Sequence, residues 1–236
     1  MVAPPELVPL VESAGLTAAP YGPDQQDGFW DTDFLGNFWN FPAVRRRWRE
    51  AQELLVQSWA EMSATLISLS EGADLVFTGP GFPGVAANVA EYRDVPLATM
   101  HYFPMRPNGQ LAPNLPAPLV RGAMTALDWT QWRVTKKAED AQRRNLGLPR
   151  AKSPAPQRMA ARGALEIQAY DEVCFPGLAD EWAKSNCQRP FVGTLTMEMT
   201  TDADVTSWIA AGTPPICFGF GSTAVESPKL PPIRCE

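Results

Sequence analysis

The chain has 236 residues, 45% hydrophobic and 19% charged, which is enough for one large folded domain or two small ones. A net charge of −6 argues against nucleic acid as its main partner, because neutralising phosphates needs a basic face. Four scattered cysteines and a single histidine give no zinc-ligand spacing, no run approaches the ~20 apolar residues of a membrane span, and Met1 to Glu6 lacks a secretory pattern; a cytoplasmic protein without metal is expected.

The first element is a short helical segment from Glu6 to Ala14, and no strand is expected before it. Residues 24 to 41 are aromatic and acidic with poor periodicity, which predicts a mobile loop or short helices. From Ala43 to Leu69, Val44, Trp48, Leu55, Trp59, Met62 and Leu66 form one stripe of a long helix. Asp74 to Gly79 reads as a buried parallel strand, Val85 to Tyr92 as a helix and Asp94 to His101 as the next strand, together a βαβ unit. Residues 103 to 118 are a long proline-rich loop, and Leu119 to Leu146 is a second long helix ended by Gly147. A polar proline linker follows, then strands at Leu165 to Tyr170 and Phe191 to Leu195, and a short helix from Asp204 to Ala211. The apolar run Ile216 to Phe220 is a last strand leading into a glycine turn. Strands alternating with helices specify an α/β fold, a Rossmann-like parallel sheet with helices on both faces. Ligands of such sheets bind beyond the carboxyl ends of the strands, here at Thr78 to Gly84, His101 to Asn108 and Gly219 to Thr223.

Gly219-Phe220-Gly221-Ser222-Thr223-Ala224 fits a relaxed dinucleotide fingerprint whose backbone amides approach a pyrophosphate, or else it is a plain turn after a core strand. Pro228, Pro231 and Pro232 exclude the long helix that a complete nicotinamide site needs. Thr78 to Gly84 reads better as a tight turn shaping a pocket wall than as an anion cradle, since its two prolines donate nothing. His101, at the end of a strand, is placed for a general base or for a satisfied structural role, with Asp128, Asp171 and Asp204 as nominal partners. Cys174 and Cys217 sit in apolar contexts that predict buried, reduced thiols. The basic run Arg45 to Arg49 with Trp48 is either a solvated helix end or a weak membrane-surface contact at the inner face of the bilayer.

Five stretches, Leu7 to Gly22, Gly72 to Thr78, Ala87 to Arg106, Glu139 to Leu148 and Pro215 to Ser222, resemble in order and spacing bacterial glycosyltransferases of the two-Rossmann-domain (GT-B) type that act on sterols, glycolipids and glycopeptide aglycones. The resemblance implies an acceptor-binding domain over residues 1–197 without its first strand, a linker over 198–213, and the start of a nucleotide-sugar domain from 214 to 236. It implies transfer of a sugar from a nucleoside diphosphate, UDP by analogy, to a hydroxyl of an apolar acceptor, with no further cofactor. Phe82, Val85, His101, Phe103 and Arg106 are the acceptor-side residues it implies, and Gly221 and Ser222 the donor-side ones. The family's G-T-R-G-D-like turn, expected ahead of Met1 and bearing an acidic residue that is the catalytic base or its helper, and its H-H-G-G-A-G-T-like donor run are not in this sequence. No catalytic residue is therefore assigned, the chain is expected to be truncated at both ends and slow or inactive alone, and a non-catalytic binding module is the alternative.

Overall fold

The computed structural model describes residues 1–22, 41–184, 187–196, 203–214 and 216; for residues 41–52 it describes the backbone only. The chain divides into two units, Met1–Leu195 and Thr196–Glu236. The expectations for residues 23–40, for the side chains of Val44, Arg45 to Arg49 and Trp48, and for Cys217, Gly221 and Ser222 fall outside the described residues.

The first unit is α/β, with parallel sheets flanked by helices in a Rossmann-like arrangement. Contrary to expectation, a strand does precede the first helix: β1 (Val2–Ala3) pairs in parallel with β2 (Ala19–Pro20). Helix α1 (Val8–Ser13) bridges them, and two residues per strand are too few to leave a periodic trace in the sequence. The second sheet has the order β3 (Val76–Thr78), β4 (Leu97–His101), β5 (Leu165–Gln168), all parallel.

Helix α2 (Phe41–Leu69) forms where the apolar stripe foretells it: Leu55, Trp59 and Met62 are buried in one cluster with Val85 and Ala138, and Leu66 packs against it. Burial of each large side chain stabilises by about 1.5–3 kcal/mol. Helix α3 (Pro83–Arg93) presents Val85, Ala86, Val89 and Ala90 inward and opens on a proline, which is tolerated where the amide has no helical partner. Helix α4 (Ala117–Asn145) ends as expected: Gly147 takes φ +70°, and the Leu148 amide returns to the Arg143 carbonyl.

Four expectations fail. The stretch after α4 contains α5 (Ala155–Ala161), because its prolines occupy the cap and first turn, where they are harmless. Residues 191–195 form no strand; 188 and 191 make only isolated parallel bridges to Leu165 and Gln168. Strand β3 is not buried on both faces: Val76 packs against α3, but Leu75 and Phe77 are half exposed, since β3 has a neighbour on one side only among the described residues. Cys174 is also exposed, on a surface 3₁₀ turn (Glu172–Cys174) that the sequence did not announce, just before α6 (Leu178–Trp182).

In the second unit, α7 (Ala203–Ala211) carries Asp204 in its first turn, the favourable end for a negative charge. No helix among the described residues is long and apolar enough to cross a membrane.

Candidate functional site

Strands β4 and β5 break the rule that central parallel strands are apolar on both faces. Their register pairs Thr99 with Glu166 and His101 with Gln168, so these four polar side chains share one face, since residues two apart point the same way. Each is at most 2% exposed. His101 Nε2 lies 2.9 Å from Thr99 Oγ1, and Tyr170 donates its hydroxyl to Gln168 at 2.8 Å.

The loop after β4 folds back over this face. Arg106 donates Nε to Glu166 Oε1 at 2.5 Å, and Arg189 donates Nε to Glu166 Oε2 at 2.6 Å. Burial opposes the charge on Glu166, but the two guanidiniums outweigh it and hold the carboxyl below its ordinary range. Two guanidiniums thus share one carboxylate. Burial first, then Arg106 and Arg189, push His101 down to about 4, with Glu166 opposing, so the imidazole is neutral at pH 7. Two buried polar atoms here have no partner among the described residues, His101 Nδ1 and Arg106 Nη2. Asp128 on α4 feels both Arg106 and Glu166, and burial raises its pKa.

Glu181 and Asn108 anchor the loop. Glu181 accepts from the Gly109 amide, Gln110 Nε2 and Arg121, and Asn108 Oδ1 accepts from the amides of Gln110 and Leu111. A loop of this length is thereby fixed without any regular element.

Beyond the carboxyl end of β3, Phe82 meets a ring of α2. Phe82 caps α3 with φ +48°, an uncommon and strained conformation for an aromatic residue and one that concentrates at functional sites. Its ring stands edge-on to Trp59 at 6.2 Å. A Cβ on Gly79 would lie 3.6 Å from the Tyr102 hydroxyl, which places the β3 turn beside the start of the next loop. Tyr102 and Phe103 are about half exposed.

The acceptor-side residues expected from sequence therefore separate into three groups. His101 and Arg106 are joined through Glu166 and the polar face; Phe82 packs against the α2 core cluster, and Phe103 is half exposed in the loop after β4; Val85 is fully buried in the core, its carbonyl accepting from Gln142. Asp171 caps its own 3₁₀ turn by accepting the Val173 amide. Glu166, Arg189 and Tyr102 were not singled out from sequence. The signal was the polar alternation of Glu166 and Gln168 inside a parallel strand.

A second polar cluster lies between α2, α3, α4 and α5. Gln142 Oε1 accepts from Trp59 Nε1 at 2.7 Å and from Asn88 Nδ2 at 2.8 Å, while its amide donates to Ser63 and to the Val85 carbonyl. Glu139 accepts from Trp132 Nε1 and pairs with Arg158, and Arg143 spans Asn88 and Glu91. These are the polar positions of the stretch Glu139 to Leu148, and the network holds the helices to one another.

Cavities among the described residues of the first unit include two of similar size. One of about 280 Å³, lined by Ala90, Pro96, Leu97, Met159 and Arg162 among others, sits at the amino ends of β4 and β5, away from the ends where ligands of parallel sheets bind. The other, about 310 Å³, adjoins Pro107 and Arg189. Among the described residues, no cluster of three or more His, Cys, Asp or Glu side chains is placed to hold a metal ion.

The chain is 54% identical over 231 residues to an uncharacterized glycosyltransferase of Mycobacterium tuberculosis (strain ATCC 25618 / H37Rv), an alignment covering 96% of this chain and 55% of that protein. An uncharacterized glycosyltransferase of Mycobacterium leprae (strain TN) is 51% identical over 232 residues, 95% of this chain and 53% of its own. A protein of Mycobacterium bovis (strain ATCC BAA-935 / AF2122/97), named only as uncharacterized, is 52% identical over 235 residues, 97% of this chain and 54% of its own. The chain thus spans about half the length of the curated relatives it matches. No protein-family model matches it.

Proposed function

We propose that this chain is the acceptor-binding half of a glycosyltransferase of GT-B architecture. In this reading a sugar passes from a nucleoside diphosphate, UDP by analogy, to a hydroxyl of an apolar acceptor such as a lipid, sterol or aglycone. The observation that carries the reading is the 54% identity across 96% of the chain to a protein named as a glycosyltransferase. The half-exposed Tyr102 and Phe103 after β4 support it, since an apolar acceptor needs such a surface beside a polar anchor.

The chemistry is a displacement. A base takes the proton of the acceptor hydroxyl, the oxygen forms a bond to the anomeric carbon, and the bond to the diphosphate breaks with its electron pair leaving on phosphate. Phe82 and Phe103 flank the acceptor body. His101, neutral and with Nδ1 unpartnered among the described residues, and Arg106 orient its hydroxyl-bearing end. The donor-side role that the resemblance implies falls to Gly221 and Ser222. A cytoplasmic location, with peripheral contact at the inner face of the membrane, completes the reading.

The second reading is an acceptor-binding module without turnover. Titration of the chain with sterol and glycolipid acceptors, alongside product mass analysis after addition of nucleoside-diphosphate sugars, separates the two. Acceptor binding with glycosylated product supports the enzyme; acceptor binding without product supports the module; absence of acceptor binding overturns both.

A further inference from the structure

The groove beside Pro107 carries a charge opposite to that of the whole chain. It is bounded by Pro107, Arg121, Glu181, Trp182, Lys184 and Arg189 and encloses about 310 Å³. Three cations face one carboxylate there, in a protein of net charge −6. That carboxylate is already committed: Glu181 accepts from Arg121, from the Gly109 amide and from Gln110. Arg189 offers little relief to the positive side, because its partner Glu166 is shared with Arg106. The ion pairs of this region among the described residues are Arg106–Glu166, Arg189–Glu166 and Arg121–Glu181, and Lys184 is in none of them, although Asp180 precedes it by four residues. Asp128 is within electrostatic reach of Arg106 and Glu166 but does not line the groove.

The groove is also preorganised. The Arg189 guanidinium lies 4.9 Å over the Trp182 ring, which stacks in turn on Phe191 at 5.9 Å, and its Nε is fixed by Glu166. A cation held in this way loses little freedom when an anion arrives.

We infer that this groove binds the phosphate group of a small phosphomonoester, with Arg121, Lys184 and Arg189 as its cationic wall. A dianion matches the excess of two positive charges lining the groove better than a carboxylate does, and three phosphate oxygens suit cations spread around an opening. The inference stands apart from glycosyl transfer, because its readout is binding by this chain and not turnover.

The test is calorimetric titration of the purified chain with phenyl phosphate and with inorganic phosphate, at low and high salt, together with sedimentation on phosphatidylcholine vesicles containing phosphatidic acid. Saturable phenyl phosphate binding that weakens with salt is expected. Lys184→Glu should weaken it at least about tenfold with the thermal unfolding curve unmoved, since this side chain is exposed and makes no ion pair among the described residues, and Lys184→Arg should restore it. Lys184-dependent sedimentation supports the inference and assigns the phosphate to a lipid headgroup; soluble binding without sedimentation supports it and assigns a free phosphomonoester. A wild type that binds neither phenyl phosphate nor vesicles, or binding that Lys184→Glu leaves intact, overturns it.

Discussion

Arg106 and Glu166 are sixty residues apart in the chain and 2.5 Å apart in the fold, where both are buried. Their contact ties the loop after β4 to the middle of β5. Glu166 also neutralises Arg189, so its removal strands two cations. Glu166→Gln should destabilise the protein by about 3–5 kcal/mol, the usual cost of breaking a buried pair from one side. Urea unfolding at pH 7 measures it, and a loss below about 1 kcal/mol would mean that water already solvates the cluster.

His101 makes stability depend on pH. Its folded pKa, about 4, lies below the ordinary value of 6.5, so the unfolded chain binds the extra proton between those limits. The stabilisation is complete above pH 6.5 and is lost as pH falls toward 4, amounting to on the order of 3 kcal/mol. Glu166, with its folded pKa depressed, adds a further loss below the ordinary carboxylate range. Unfolding free energies from pH 4 to 7 should therefore rise, and His101→Asn should flatten that slope.

Gln142 satisfies Trp59, Asn88, Ser63 and the Val85 carbonyl at once. Gln142→Leu keeps the volume and leaves buried groups of Trp59 and Asn88 without their shared acceptor. At about 1–3 kcal/mol for each orphaned group, a loss of at least 2 kcal/mol is expected in chemical denaturation. A near-neutral result would show that the network rearranges around the gap.

Gly109 is needed for space and not for backbone freedom. A Cβ there would stand 2.4 Å from the Ala117 Cβ and 3.0 Å from its Cα, and neither can swing away. Gly109→Ala should push the loop off the start of α4 and cost about 1–3 kcal/mol, seen as faster hydrogen exchange at the amides of residues 109–111.

Phe103 is about half exposed and contributes little to packing. Under the proposed function, Phe103→Ala should weaken binding of an apolar acceptor about tenfold while the unfolding midpoint stays put. A shift in the midpoint with unchanged acceptor affinity would place Phe103 in the scaffold instead.

Sequence alone determined the elements whose signals are local. The stripe through Leu55, Trp59 and Met62, the glycine after α4 and the apolar run ending at His101 each fix an element through a period or a cap, with no distant partner required. The α/β class follows from their alternation, and the family resemblance from five short stretches read in order. His101 was singled out because it ends a strand, and Arg106 through the family resemblance. What joins them was not: only the fold decided that Glu166 would serve both Arg106 and Arg189, that Val85 would lie in the core, and that α5 would replace a linker. A strand's register and a buried ion pair depend on which segments meet across long stretches of chain, and no local pattern encodes that meeting. Charge is decided the same way: a protein of net charge −6 shows a cationic groove because folding brings Arg121 beside the distant Lys184 and Arg189.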